Sequence, residues 1–103
     1  MKAPDHLKPA GAELWANVQK EYSVNDAGGL ALLTTAAECL DRMRAAQSAI
    51  EAHGELVQDR YGQMKVSPAC QLEKEARNGL LLALKQLNLD LEPLRDMRGA
   101  NWR

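Results

Sequence analysis

The sequence predicts a mainly α-helical fold, and three observations carry that expectation. Sixteen of the 103 residues are leucine and none is phenylalanine, a composition weighted towards helix formers. Apolar residues recur every three or four positions over three separate stretches. Helix start and stop residues, Pro9, Gly54 and Ser67-Pro68, stand where those stretches begin or end. Hydrophobic residues make up 46% of the chain, too many for a disordered segment and enough for one modest core.

The first helix is expected over about residues 9–22. Pro9 suits the first helical position, and Leu14, Trp15, Val18 and Tyr22 form one apolar stripe, which makes Trp15 a core residue. Residues 1–7 read as polar and loose, with Leu7 available as a hydrophobic staple. After a loop, Asn25 or Asp26 can cap a long helix over about 27–53. Its inner positions are Leu33, Ala36, Ala37, Leu40, Met43 and Ile50, while Glu38, Asp41, Arg42, Arg44 and Glu51 keep to the other side. Gly54 ends it.

Residues 55–66 read as a β-hairpin turning at Tyr61-Gly62. Two strands alone are marginal in water, so this hairpin must lean on a helix or on another subunit. Ser67 as N-cap and Pro68 open the second long helix, which runs to about Asn88. Its inner stripe is Leu72, Ala76, Leu80, Ala83, Leu84 and Leu87. Leu81 and Leu82 fall off that stripe, which makes the helix apolar on more than one side and points to contact with a second copy. The chain divides into a single helical domain over 1–94 and a C-terminal tail over 95–103.

Charge and chemistry narrow the function. Thirteen Lys and Arg stand against fourteen Asp and Glu, for a net charge of -1, and neither half is a basic arm. No apolar run is long enough to span a bilayer, and the opening residues lack a signal peptide's apolar stretch, so the expected location is the cytoplasm. Cys39 and Cys70 lack zinc-ligand spacing and read as reduced, mostly buried small hydrophobes. His6 and His53 need no catalytic role, since His53 sits well at a helix C-terminus. Gly28-Gly29 lacks the Lys and Ser or Thr of a phosphate-binding loop. Glu73 and Glu75 read as a solvated face. The chain therefore reads as non-enzymatic, without cofactor or metal.

The order of elements resembles the small subunit of phage terminases, of the type encoded beside a large subunit and often an HNH nuclease. Four stretches carry the resemblance: Leu7…Gly11-Ala-Glu-Leu-Trp15…Val18…Tyr22; the Ala-rich helix Leu33–Gly54; Tyr61-Gly62…Pro68; and Leu87-Asn88-Leu89…Pro93…Arg95. They span roughly residues 7 to 95. Asn88 stands where the family commonly has glycine, and the amino-terminal extension of longer members is nearly absent. The resemblance implies a homo-oligomeric ring that recognises double-stranded viral DNA in the bacterial host. It also implies recruitment and regulation of the large subunit, which supplies the ATPase and nuclease.

Within that reading, Lys74, Arg77 and Lys85 on the last helix and Arg60 and Lys65 on the hairpin are the candidate DNA contacts. A near-neutral chain offers only a few phosphate contacts, but a ring multiplies them. Tyr61, Leu81 and Leu82 are the candidate subunit contacts. Arg95, Arg98, Trp102 and Arg103 form a candidate docking tail for the large subunit, because Trp and Arg are enriched at binding hot spots. Two other classes fit the same composition, a small dimeric DNA-binding regulator and a helical protein-interaction adaptor without DNA contact.

Overall fold

The computed structural model of the chain describes residues 2–88. Three helices and one hairpin follow in the expected order: α1 (Pro9–Tyr22), α2 (Ala27–His53), β1 (Leu56–Gln58), β2 (Met64–Val66) and α3 (Pro68–Leu87). Helices α2 and α3 lie together as a long pair, and α1 packs on one face of α2. The C-terminal tail expected over 95–103, with Arg95, Arg98, Trp102 and Arg103, lies outside the described residues.

Local chemistry sets the boundaries. Asp26 caps α2, its carboxylate accepting from the Gly29 N–H at 2.8 Å. Gly54 ends that helix at φ 85°, ψ 169°, a conformation that a side chain strongly disfavours. Ser67 caps α3 by accepting from the Ala69 N–H at 3.1 Å, with Pro68 at the first helical position. Asn88 closes α3 in the left-handed conformation at φ 53°, a role Asn shares with glycine.

Helix α1 has no cap of its own, because Lys8 at the N-cap position offers no side-chain acceptor. Asp41 of α2 supplies one from 30 residues away. Its carboxylate accepts from the Lys8 N–H at 2.7 Å and the Gly11 N–H at 2.6 Å, placing a negative charge at the positive end of the helix dipole. This corrects the expectation that Glu38 and Asp41 face away from the packing. Glu38 pairs with His6 at 2.7 Å, and Ala3 and Leu7 pack against the core. The leading segment is thus held on α2 rather than loose.

The core itself is small. Trp15, Val18, Leu33 and Ala37 form its centre, with Leu14, Tyr22, Val24, Leu30 and Leu87 packed around them. Trp15 is 3% exposed, as its stripe position requires. Between α2 and α3 the buried side chains are mostly alanine: Ala36, Ala46, Ala76 and Ala83, with Met43. Leu72 departs from its expected inner place and is 58% exposed, because it lines an open groove between α2 and α3. Cys39 and Cys70 are free thiols and half-buried rather than fully buried.

In the hairpin, Leu56 pairs with Val66, Val57 with Lys65 and Gln58 with Met64. The turn is longer than a Tyr61-Gly62 turn. Asp59 organises it, its carboxylate accepting from the Tyr61 and Gln63 N–H groups at 2.8 and 3.0 Å. Gly62 closes it at φ 79°, as in a three-residue loop ending in a left-handed glycine. The Ser67 N–H to Glu55 carbonyl bond at 2.7 Å ties the hairpin's base. Its strands pair with each other and hardly touch the helices.

Candidate nucleic-acid interface and assembly surfaces

Helical spacing sorts the exposed residues of α3 into two strips. Lys74, Asn78, Leu81 and Lys85 succeed one another at steps of four, three and four residues, so they share one face. All four are exposed. The two lysines stand about 16 Å apart along that strip at 1.5 Å per residue, and neither takes part in an ion pair among the described residues. Leu82 belongs to the other strip, with Leu72, Glu75 and Gly79. Leu81 and Leu82, expected as a joint subunit contact, therefore face different directions.

Arg77 is set apart from the two lysines by its partner. It donates to the Glu73 carboxylate one turn earlier. Glu73 also accepts from Gln47 Nε2 at 3.1 Å, and Gln47 accepts from Arg44 at 2.9 Å. This polar strap crosses from α2 to α3, and Glu73 is part of it rather than of a solvated face. The Arg77 hydrogen bond, followed by that of Gln47, lowers the Glu73 pKa from its usual 4.5. Gln47 was not singled out by the sequence, and Arg44 was read only as an outer residue of the long helix. Their only signal was the four-residue spacing of Glu73 and Arg77, which fits an ion pair on one helix.

Arg60 and Lys65 both sit on the exposed hairpin, at a distance in the chain from the α3 strip. The Arg60 guanidinium lies 5.4 Å from the centre of the Tyr61 ring, a cation–π arrangement at the tip. Tyr61 is 77% exposed. Leu56, Met64 and Val66 share one face of the hairpin, and each is more than half exposed. Val57 and Lys65 point to the opposite face.

The second apolar feature is concave. Helix α1 crosses α2 at Ala37 and Asp41, where Gly11 leaves no room for a side chain. Roughly on the other side of α2, Cys39, Ala46 and Ala49 face Ala69, Leu72 and Ala76 of α3 across a groove of about 450 Å³. Arg42 and Glu75 stand at its rim. Alanines make the groove, since two helices meeting through small side chains leave unfilled space beside their seam. Among the described residues no three His, Cys, Asp or Glu converge as a cation site, and no helix is long and apolar enough to cross a membrane.

Comparison with family models, curated proteins and solved structures finds no match to this chain.

Proposed function

We propose that the chain is a DNA-packaging factor of the terminase small-subunit type, a self-assembling protein that holds double-stranded DNA and recruits a large motor subunit. The observation that carries this reading is the apolar surface the chain leaves uncovered. Of the thirteen leucines among the described residues, Leu33 alone is fully buried. A chain with so little core gains by burying Leu56, Met64, Val66, Leu72 and Leu82 against copies of itself. The element order and the motifs of the terminase resemblance give that assembly its purpose.

The exposed lysines Lys74 and Lys85 supply the DNA contact in this reading, with Asn78 between them. Two cations bind DNA weakly, but a ring repeats them around its circumference, and each further contact forms at high effective concentration. Arg77 contributes less, because Glu73 already engages it. Arg60 and Lys65 add charge from the hairpin. A helix-turn-helix regulator is the weaker reading: the four-residue turn of that motif joins α1 to α2, whereas the exposed lysines Lys74 and Lys85 lie on α3, beyond the hairpin.

The test is duplex-DNA binding by fluorescence anisotropy across a salt series. Replacing Lys74 and Lys85 together by alanine is expected to weaken binding and flatten the dependence of log K on log salt. Unchanged affinity and slope would remove α3 from the DNA surface. No binding by an assembled wild-type chain would favour the protein-interaction adaptor.

A further inference from the structure

The chain leaves two apolar features uncovered, a ridge on the hairpin and a groove between α2 and α3, and we infer that the hairpin of one copy seats in the α2/α3 groove of the next. The inference rests on the self-assembly proposed above and assigns its contact. Leu56, Met64 and Val66 make a ridge on one face of the hairpin, while Cys39, Ala46, Ala49, Ala69, Leu72 and Ala76 line a trough. The ridge presents on the order of 300 Å² of apolar surface, at the lower end of the largest patch a typical monomer exposes, which is often functional.

The hairpin does not fill its own groove. Its three ridge residues are 53%, 59% and 63% exposed, and its base is pinned by the Ser67–Glu55 bond between helices only one or two residues away on either side. The occupant must come from elsewhere, and a second copy carries the needed ridge. A two-stranded hairpin is marginal by itself, so seating it stabilises the element as well as the trough. Met64 brings an unbranched side chain able to adapt to an irregular trough.

Charge is compatible with this docking. The groove rim carries Arg42 and Glu75, and the hairpin tip carries Asp59 and Arg60. Arg60 at the tip and Glu75 at the groove carry opposite charges that this docking can pair. The contact joins unlike surfaces, so each chain donates a ridge to one neighbour and a trough to the other. Such heterologous contacts close into rings or run on as filaments. One junction falls short of the roughly 800 Å² per partner of a stable interface, so assembly should fall apart on dilution unless the ring closes.

Disulfide trapping tests this, since Cys39 already lies in the groove. In a Cys70→Ser background, Met64→Cys places a thiol on the ridge beside the native Cys39. Mild oxidation of that chain is expected to give a ladder of covalent dimers, trimers and higher species. A ridge-only chain (Met64→Cys with Cys39→Ser) and a groove-only chain (native Cys39) should cross-link when mixed and not alone. Val66→Glu, on an exposed position, should lower the assembly mass while leaving helical circular dichroism intact.

Cross-linking of the ridge-only or groove-only chain with itself, or no ladder from a Met64→Cys, Cys70→Ser chain that still assembles to high mass, would overturn this contact and leave self-assembly standing. A Val66→Glu chain of unchanged mass would overturn it as well. A wild-type chain that stays monomeric at every concentration would overturn both this contact and the assembly it rests on.

Discussion

Asp41 is the residue on which the placement of α1 depends, and Asp41→Ala measures that dependence. Its two oxygens accept from Lys8 and Gly11 at 2.7 and 2.6 Å. One bond is exposed and one partly buried, and together they do the work of an N-cap that Lys8 cannot do. Loss of a capping acceptor costs about 0.5–2 kcal/mol, and hydrogen bonds to charged groups reach about 1.5–3 kcal/mol. Discounting the exposed bond gives about 1–2 kcal/mol for Asp41→Ala. For a domain of this size that corresponds to roughly 5–15 °C in melting temperature. Asp41→Asn keeps one acceptor oxygen and should lose about half as much. The assay is urea unfolding at fixed protein concentration, since assembly shifts apparent stability, with Trp15 fluorescence in a Trp102→Phe background reporting α1 and circular dichroism reporting all helices. An Asp41→Ala cost below about 0.3 kcal/mol, within the scatter of neutral surface substitutions, would refute the capping argument.

Three further outcomes are expected. Gly11→Ala places a methyl group against the Asp41 carboxylate and 2.6 Å from the Ala37 carbonyl oxygen, and the crowding should cost about 1–3 kcal/mol in the same unfolding assay. Glu73 has a lowered pKa, so its contribution to stability is fully present above about pH 4.5, its unperturbed value, and is lost as pH falls through the lowered folded value. Wild type should therefore exceed Glu73→Gln in urea midpoint at pH 7, with the gap narrowing as pH falls below about 4.5; a gap independent of pH would contradict the strap. Deleting residues 95–103 is expected to leave the number of subunits in the assembly unchanged and weaken pull-down of a large terminase subunit, and undiminished pull-down would sink the docking tail.

The helix boundaries were legible because each is written in adjacent residues. Pro9, Asp26, Gly54, Ser67-Pro68 and Asn88 act on backbone groups within a few positions of themselves, and the structure uses all of them. Trp15 was legible for the same reason, since its stripe fixes its face. Asp41 was not, because its partners lie 30 and 33 residues earlier and an acidic residue on a long helix reads as solvated. The missing cap at Lys8 was the available clue, as an uncapped helix start needs an acceptor from somewhere.

Leu72 illustrates the other limit. Periodicity puts it on the inner stripe with Ala76, but whether a stripe is covered depends on what lies across from it. Helix α1 covers one side of the α2/α3 pair and leaves the other open. The same holds for Leu81 and Leu82, adjacent in sequence and apolar alike, which the turn of the helix sends to two different surfaces. Glu73 was misread because its second partner, Gln47, belongs to another helix.

The central claim is that this chain completes its core and gathers its DNA contacts by self-assembly. Light scattering on the size-exclusion peak, with and without duplex DNA, tests it most directly. The account predicts a mass several times the 11.4 kDa of one chain, reduced by Val66→Glu and stabilised against dilution by DNA. A single 11.4 kDa species at all concentrations, unchanged by DNA, would contradict it.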